Sequence, residues 1–115
     1  MTSLSTHVLN TATGLPAAEV KVELVELSGT ESATAEVSRE LTQAATNDDG
    51  RHRFDESLQE GTYRLRFQTG EYFSAQGTKG LYPWADIVFT VSASDEHLHV
   101  PLLLSPFGYS TYRGS

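Results

Sequence analysis

The chain contains no cysteine. Disulfide staples, zinc ribbons, iron–sulfur clusters and thiol catalysis are therefore excluded. No apolar run approaches the ~20 residues of a membrane-spanning helix, so no membrane segment is expected. Basic residues are scarce: eight Lys and Arg face fifteen Asp and Glu, a formal charge of −7. Such a surface repels a phosphate backbone, and no nucleic-acid partner is expected. The start, MTSLSTHVLN, has neither the basic nor the apolar block of a secretory leader, and the final YRGS is no peroxisomal or ER-retention address. The expectation is a soluble, cytoplasmic protein.

What remains is an ordinary globular composition. The 115 residues are 38% apolar and 20% charged, with five Tyr, five Phe and one Trp. That is enough for one hydrophobic core and short of two, so residues 1–115 are expected to form one domain. Strand patterns dominate. Residues 20–27 (VKVELVEL) alternate and then lose phase at Val25, while residues 62–68 (TYRLRFQ) alternate cleanly with Arg64 and Arg66 on the wet side. Residues 86–92 are β-branched and aromatic, and 97–104 (HLHVPLLL) alternate before turning continuously apolar. Turn chemistry separates them at residues 13–16, 47–50, 60–61 and 79–80.

Two segments break this pattern. Polar residues 30–36 read as a loop, and residues 70–77, bracketed by glycines, read as two turns of helix. The composite is an all-β sandwich of about eight strands with one possible helix. Pro101 cannot donate to a ladder, so its strand is expected at an edge or with a bulge there. Period two then sends Leu98, Val100, Leu102 and Leu104 inward and leaves His97 and His99 on the polar face.

Chemistry concentrates in a few places. His97 and His99 form an H-x-H pair that could share a metal with a third ligand such as His7, or could be two solvated histidines. His7 lies in a mixed strand, and Arg51 follows the turn Asn47–Gly50, where Asp48 and Asp49 would ordinarily partner it. Residues 97–115 hold no acid, yet contain two histidines, Arg113, three aromatics and a terminal carboxylate. In an acidic chain, that composition suits a small anionic or carbonyl-rich ligand as well as it suits a frayed tail. No nucleophile elbow, Walker loop or dinucleotide fingerprint is present.

Longer motifs add to this. HVPLLLSPFGYSTYRGS (residues 99–115) closely resembles the terminal motif of the transthyretin-related 5-hydroxyisourate hydrolases. LSTHVLNTATGLPA (4–17), TNDDGR (46–51) and GTYRLRFQTGEYF (61–73) resemble further segments of that family, so the resemblance runs nearly end to end. It implies a transthyretin-like (prealbumin-like) sandwich of two four-stranded sheets with one short helix. It also implies a homotetramer, a dimer of dimers, with sites in the channel where dimers meet. Carried over residue by residue, the family's functional positions fall on His7, Arg51, His99 and the tail Tyr112, Arg113, Gly114 and Ser115. The chain departs from the pattern at Leu98, Phe107 and Trp84, none of which is assigned to chemistry.

The implied reaction opens 5-hydroxyisourate at a cyclic amide, giving 2-oxo-4-hydroxy-4-carboxy-5-ureidoimidazoline, a step of urate (purine) degradation. His7 or His99 would deprotonate water and Ser115 would orient it. Arg51 would hold the anionic substrate, and Tyr112 and Arg113 would position its ring; neither metal nor cofactor is required. Two other readings stay open at this point. One is a transthyretin-type carrier of a small ligand without catalysis, and the other a zinc-binding module built on His97 and His99.

Overall fold

A computed structural model describes residues 1–115. Alternation in the sequence becomes alternation in space. In β1 (Ser3–Asn10) every even residue is buried and every odd one half-exposed, so Leu4, Thr6, Val8 and Asn10 face the core. The neighbouring strand β8 (His97–Ser105) buries Leu98, Val100, Leu102 and Leu104 in the same way. The two run parallel and in register from Ser3 opposite His97 to Asn10 opposite Leu104. The Thr6 hydroxyl donates to the Val100 carbonyl at 2.7 Å, satisfying a polar side chain that this register buries.

A short β9 (Gly108–Thr111) flanks β8 on its other side. The outer edge of β1 is shared by β2 (Leu15–Pro16), opposite Leu9 and Asn10, and β5 (Arg51–Arg53), opposite Ser5 to His7. This sheet therefore has five strands but is only four strands wide. The second sheet is antiparallel, ordered β4 (Val37–Ala45), β3 (Lys21–Leu27), β6 (Gly61–Phe67), β7 (Ala85–Val91). Side chains from both inner faces, among them Leu4, Val22, Leu65, Phe67 and Leu102, fill one core. This is the sandwich that the strand pattern and the resemblance both imply.

The helix expected over residues 70–77 is α1 (Thr69–Ala75), joining β6 to β7. It buries Tyr72 and Phe73, and Asn10 donates to the Tyr72 hydroxyl at 3.2 Å, fixing it to the end of β1. Residues 30–36 form the β3–β4 connection as expected. Val25, where the alternation loses phase, pairs with Arg64 on the face of β3 away from the core cluster and is buried there; the register shift beside it belongs to β4, where Leu41 is the extra residue.

The expectation for Pro101 needs correction. β8 is an interior strand, and it carries no bulge at Pro101. The missing N–H lies toward β9, where the ladder pauses at Tyr112 and Arg113 and resumes, in unchanged register, as a bridge between His99 and Gly114. The Thr111 hydroxyl donates to the Pro101 carbonyl at 2.7 Å. The interruption that proline demands is thus taken up by the tail. No helix is long and apolar enough to cross a membrane.

Candidate active site

The outer face of the β1/β8 sheet gathers the polar residues that the core rejects. Period two places Ser3, Ser5 and His7 of β1 on this face, with His97 and His99 of β8 beside the two serines. Arg51 stands opposite His7, and Arg53 opposite Ser5.

Arg51 is delivered by a rigid turn. The Asn47 side-chain oxygen accepts from the backbone N–H of Asp49 at 2.9 Å and of Arg51 at 3.0 Å. Gly50 has φ 73°, and a Cβ there would collide with the Val8 carbonyl and lie 3.1 Å from the Ala17 nitrogen. Only glycine fits both the backbone and the space. The acids of this turn do not partner Arg51, contrary to expectation. The four ion pairs of the chain are Lys21–Glu71, Arg39–Glu26, Arg66–Asp86 and Arg113–Asp95. Asp48 and Asp49 are exposed and pair with neither arginine, so the guanidiniums of Arg51 and Arg53 are left without a carboxylate.

The tail closes the other side. The Gly114 N–H donates to the His99 carbonyl at 2.8 Å. Its α-carbon lies so close to the imidazole that a Cβ would run into His99 Cδ2. Ser115 is thereby set into a groove of about 330 Å³ lined by Ser5, Thr6, Arg51, His52, Arg53, His97, His99 and Ser115, without one hydrophobic residue. None of these residues carries a carboxylate side chain.

His99 is held below the ordinary imidazole range, first by burial and then by the positive charges of Arg51, His7 and His97. It is therefore neutral at physiological pH and able to accept a proton. No group of three or more His, Asp or Glu stands where it could hold a metal ion. The geometry offers a neutral base and two free guanidiniums around a small polar space, with Ser115 on its wall.

The model of the HIUase/Transthyretin family matches residues 4–114, which takes in both walls of this groove. The chain belongs to that family. The 5-hydroxyisourate hydrolase of Caulobacter vibrioides is 45% identical over the full length of both chains. The structure of Klebsiella pneumoniae 5-hydroxyisourate hydrolase superposes with TM-score 0.85 at 35% identity over all of both chains. Transthyretin from Sparus aurata also superposes, with TM-score 0.82 at 25% identity over 96% of this chain and 95% of its own.

Within the family fold, the residues expected at the site divide into three positions. Arg51, His99 and Ser115 meet in the groove. His7 lies one row further along the same face, between Arg51 and Pro101. Tyr112 and Arg113 lie elsewhere: with Ile87, Phe89, Leu98 and others they line a separate cavity of about 270 Å³. There Arg113 donates to Asp95 at 3.3 Å. Trp84 is remote from the groove, on the outer face of the other sheet beneath the Arg66 guanidinium at 4.8 Å. Sequence reasoning passed over Ser3, Ser5, His52 and Arg53. Stepping back by twos from His7 would have found both serines.

Proposed function

We propose that the chain hydrolyses 5-hydroxyisourate, opening the ring at a cyclic amide to give 2-oxo-4-hydroxy-4-carboxy-5-ureidoimidazoline. The observation that carries this reading is the seating of Gly114 on His99, which brings the terminal Ser115 into one groove with a depressed imidazole and the unpaired Arg51. The names of the relatives point to the same substrate.

The reaction needs a base for water and a cation for the oxygen that gains charge. Neutral His99 takes a proton from water as the oxygen attacks the amide carbon, and the same imidazole returns it to the departing ring nitrogen. Arg51 faces the substrate and stabilises the developing oxyanion, worth ~3 kcal/mol for a well-aimed donor. The Ser115 hydroxyl and carboxylate orient the water. His7, opposite Arg51 on the same face, holds substrate beside it. Tyr112 and Arg113 belong to this reading as ring-holding groups presented where copies of the chain meet, because within one chain they lie outside the groove. The assembly is a homotetramer, a dimer of dimers, whose channel encloses the groove. The residues supply the chemistry without a metal or cofactor.

The test is an ultraviolet time course of freshly generated 5-hydroxyisourate with chelator present, comparing the parent with His99→Ala. Acceleration over spontaneous decay by the parent, and on the order of 100-fold less by the variant, is the expected result. A folded parent that leaves the decay unchanged would sink the reading and favour a ligand carrier.

A further inference from the structure

Beside the catalytic groove, the polar atoms of β1 and β8 form one continuous chain. Ser5 Oγ lies 2.8 Å from His99 Nδ1 and 3.1 Å from His97 Nε2. Ser3 Oγ lies 2.5 Å from His97 Nδ1 and 3.4 Å from the Glu96 carbonyl oxygen. The order is therefore His99, Ser5, His97, Ser3, Glu96 carbonyl. His99 Nε2 lies beyond the end of this chain.

Hydrogen counting gives the chain a direction. A neutral imidazole carries one ring proton and a serine one hydroxyl proton, so four contacts share four hydrogens. A carbonyl oxygen can only accept. Ser3 therefore donates to Glu96 and accepts from His97 Nδ1–H. His97 Nε2 is then bare and accepts the Ser5 hydroxyl proton. Ser5, already donating, accepts from His99 Nδ1–H. The reverse polarity would set the Ser3 oxygen and the Glu96 carbonyl face to face as two acceptors. It would also place a proton on His99 Nε2.

We propose that Ser3, Ser5 and His97 are positioning residues that hold His99 in its Nδ1–H tautomer, with the Nε2 lone pair free to act as the base. Ser5 is the pivotal member because it touches both rings. The use of that lone pair rests on the hydrolase reading, whereas the tautomer itself needs no substrate. His97, the exposed member, thereby gains a role: its bare Nε2 accepts the Ser5 hydroxyl proton and so fixes which way Ser5 points.

The experiment combines nitrogen-15 NMR of imidazole-labelled protein, without substrate, with kcat and KM measured across pH for the parent, Ser5→Ala and Ser5→Thr. The expected parent spectrum shows His99 unprotonated at Nε2. Ser5→Ala loses that bias, its kcat falls about tenfold, as for one misdirected neutral hydrogen bond, and KM stays within about twofold. Ser5→Thr keeps the hydroxyl and restores both spectrum and kcat. A parent His99 protonated at Nε2, or a Ser5→Ala protein with parental tautomer and pH profile, overturns the proposal. The expected tautomer in a parent without hydrolase activity supports the chain and overturns only the functional reading.

Discussion

Replacing Gly114 by alanine would test the link between tail and imidazole with one methyl group. The φ angle of Gly114 is not in the left-handed region, so the backbone adds no cost of its own. The new carbon would collide with His99 Cδ2 and lie 3.1 Å from His99 Cγ and 3.2 Å from Pro101 Cγ. Pro101 is buried in an interior strand and cannot give way. Either the imidazole tilts and loses its 2.8 Å contact with Ser5, or the tail lifts, breaking the 2.8 Å bond from Gly114 to the His99 carbonyl and withdrawing Ser115. Each route sacrifices one neutral hydrogen bond, ~1 kcal/mol of stability. A reacting group displaced by ~1 Å costs on the order of 100-fold in rate. Residues 112–115 contribute nothing to the buried cluster, so the thermal midpoint should fall by no more than about 4 °C. The assay is hydrolysis of 5-hydroxyisourate beside a calorimetric scan. Parental kcat/KM in the alanine variant would refute the claimed packing of tail on base. A collapse of the midpoint would mean that the tail holds the fold and not the site.

The remaining predictions probe how the site is delivered and tuned. Because neutral His99 is the base and its pKa is depressed, kcat/KM should hold at neutral pH and fall only below the usual imidazole value of ~6.5. Arg51→Met removes one of the charges that depress it, so the acid limb should move to higher pH while KM rises; a limb that stays put or moves down contradicts the assignment. Gly50→Ala places a side chain at positive φ against the Val8 carbonyl and should cost about 2 kcal/mol or more in denaturant unfolding, whereas a loss under ~0.5 kcal/mol would show that the turn adapts.

The fold was legible where burial is one-sided. β6 and the first half of β8 show alternation because one face is core and the other is wet, and α1 was marked by the glycines bracketing residues 70–77. β4 escaped notice: as an exposed edge, Val37–Ala45 has little burial to impose a pattern. Pro101 misled because a local rule, no donor and hence an edge or bulge, ignored a chain that could pause opposite it. The groove residues His99 and Arg51 stood out through motif and turn. Ser5 did not, because its importance comes from the parallel pairing of strands some ninety residues apart, which no local spacing encodes. The free state of Arg51 was hidden for a related reason. Sequence neighbours Asp48 and Asp49 look like partners, but in the turn fixed by the Asn47 side chain neither pairs with Arg51.

The same sandwich also superposes on Sparus aurata transthyretin, so the fold alone does not select between catalysis and carriage. The selection lies in the residues that point away from the core. A one-residue slip of β8 against β1 would turn both histidines inward and separate them from Ser3 and Ser5. The eight-residue parallel register is fixed by the apolar residues beneath it, Leu4 and Val8 on one strand and Leu98, Val100, Leu102 and Leu104 on the other. Core packing therefore aligns serine with histidine on the opposite surface. It also holds His99 within reach of the tail. A core substitution that loosened this register, such as Leu102→Ala, should reduce kcat more than the loss of folded protein accounts for, because hydrogen bonds of 2.8–3.1 Å tolerate little sliding. Stability and chemistry here are two faces of one pair of strands.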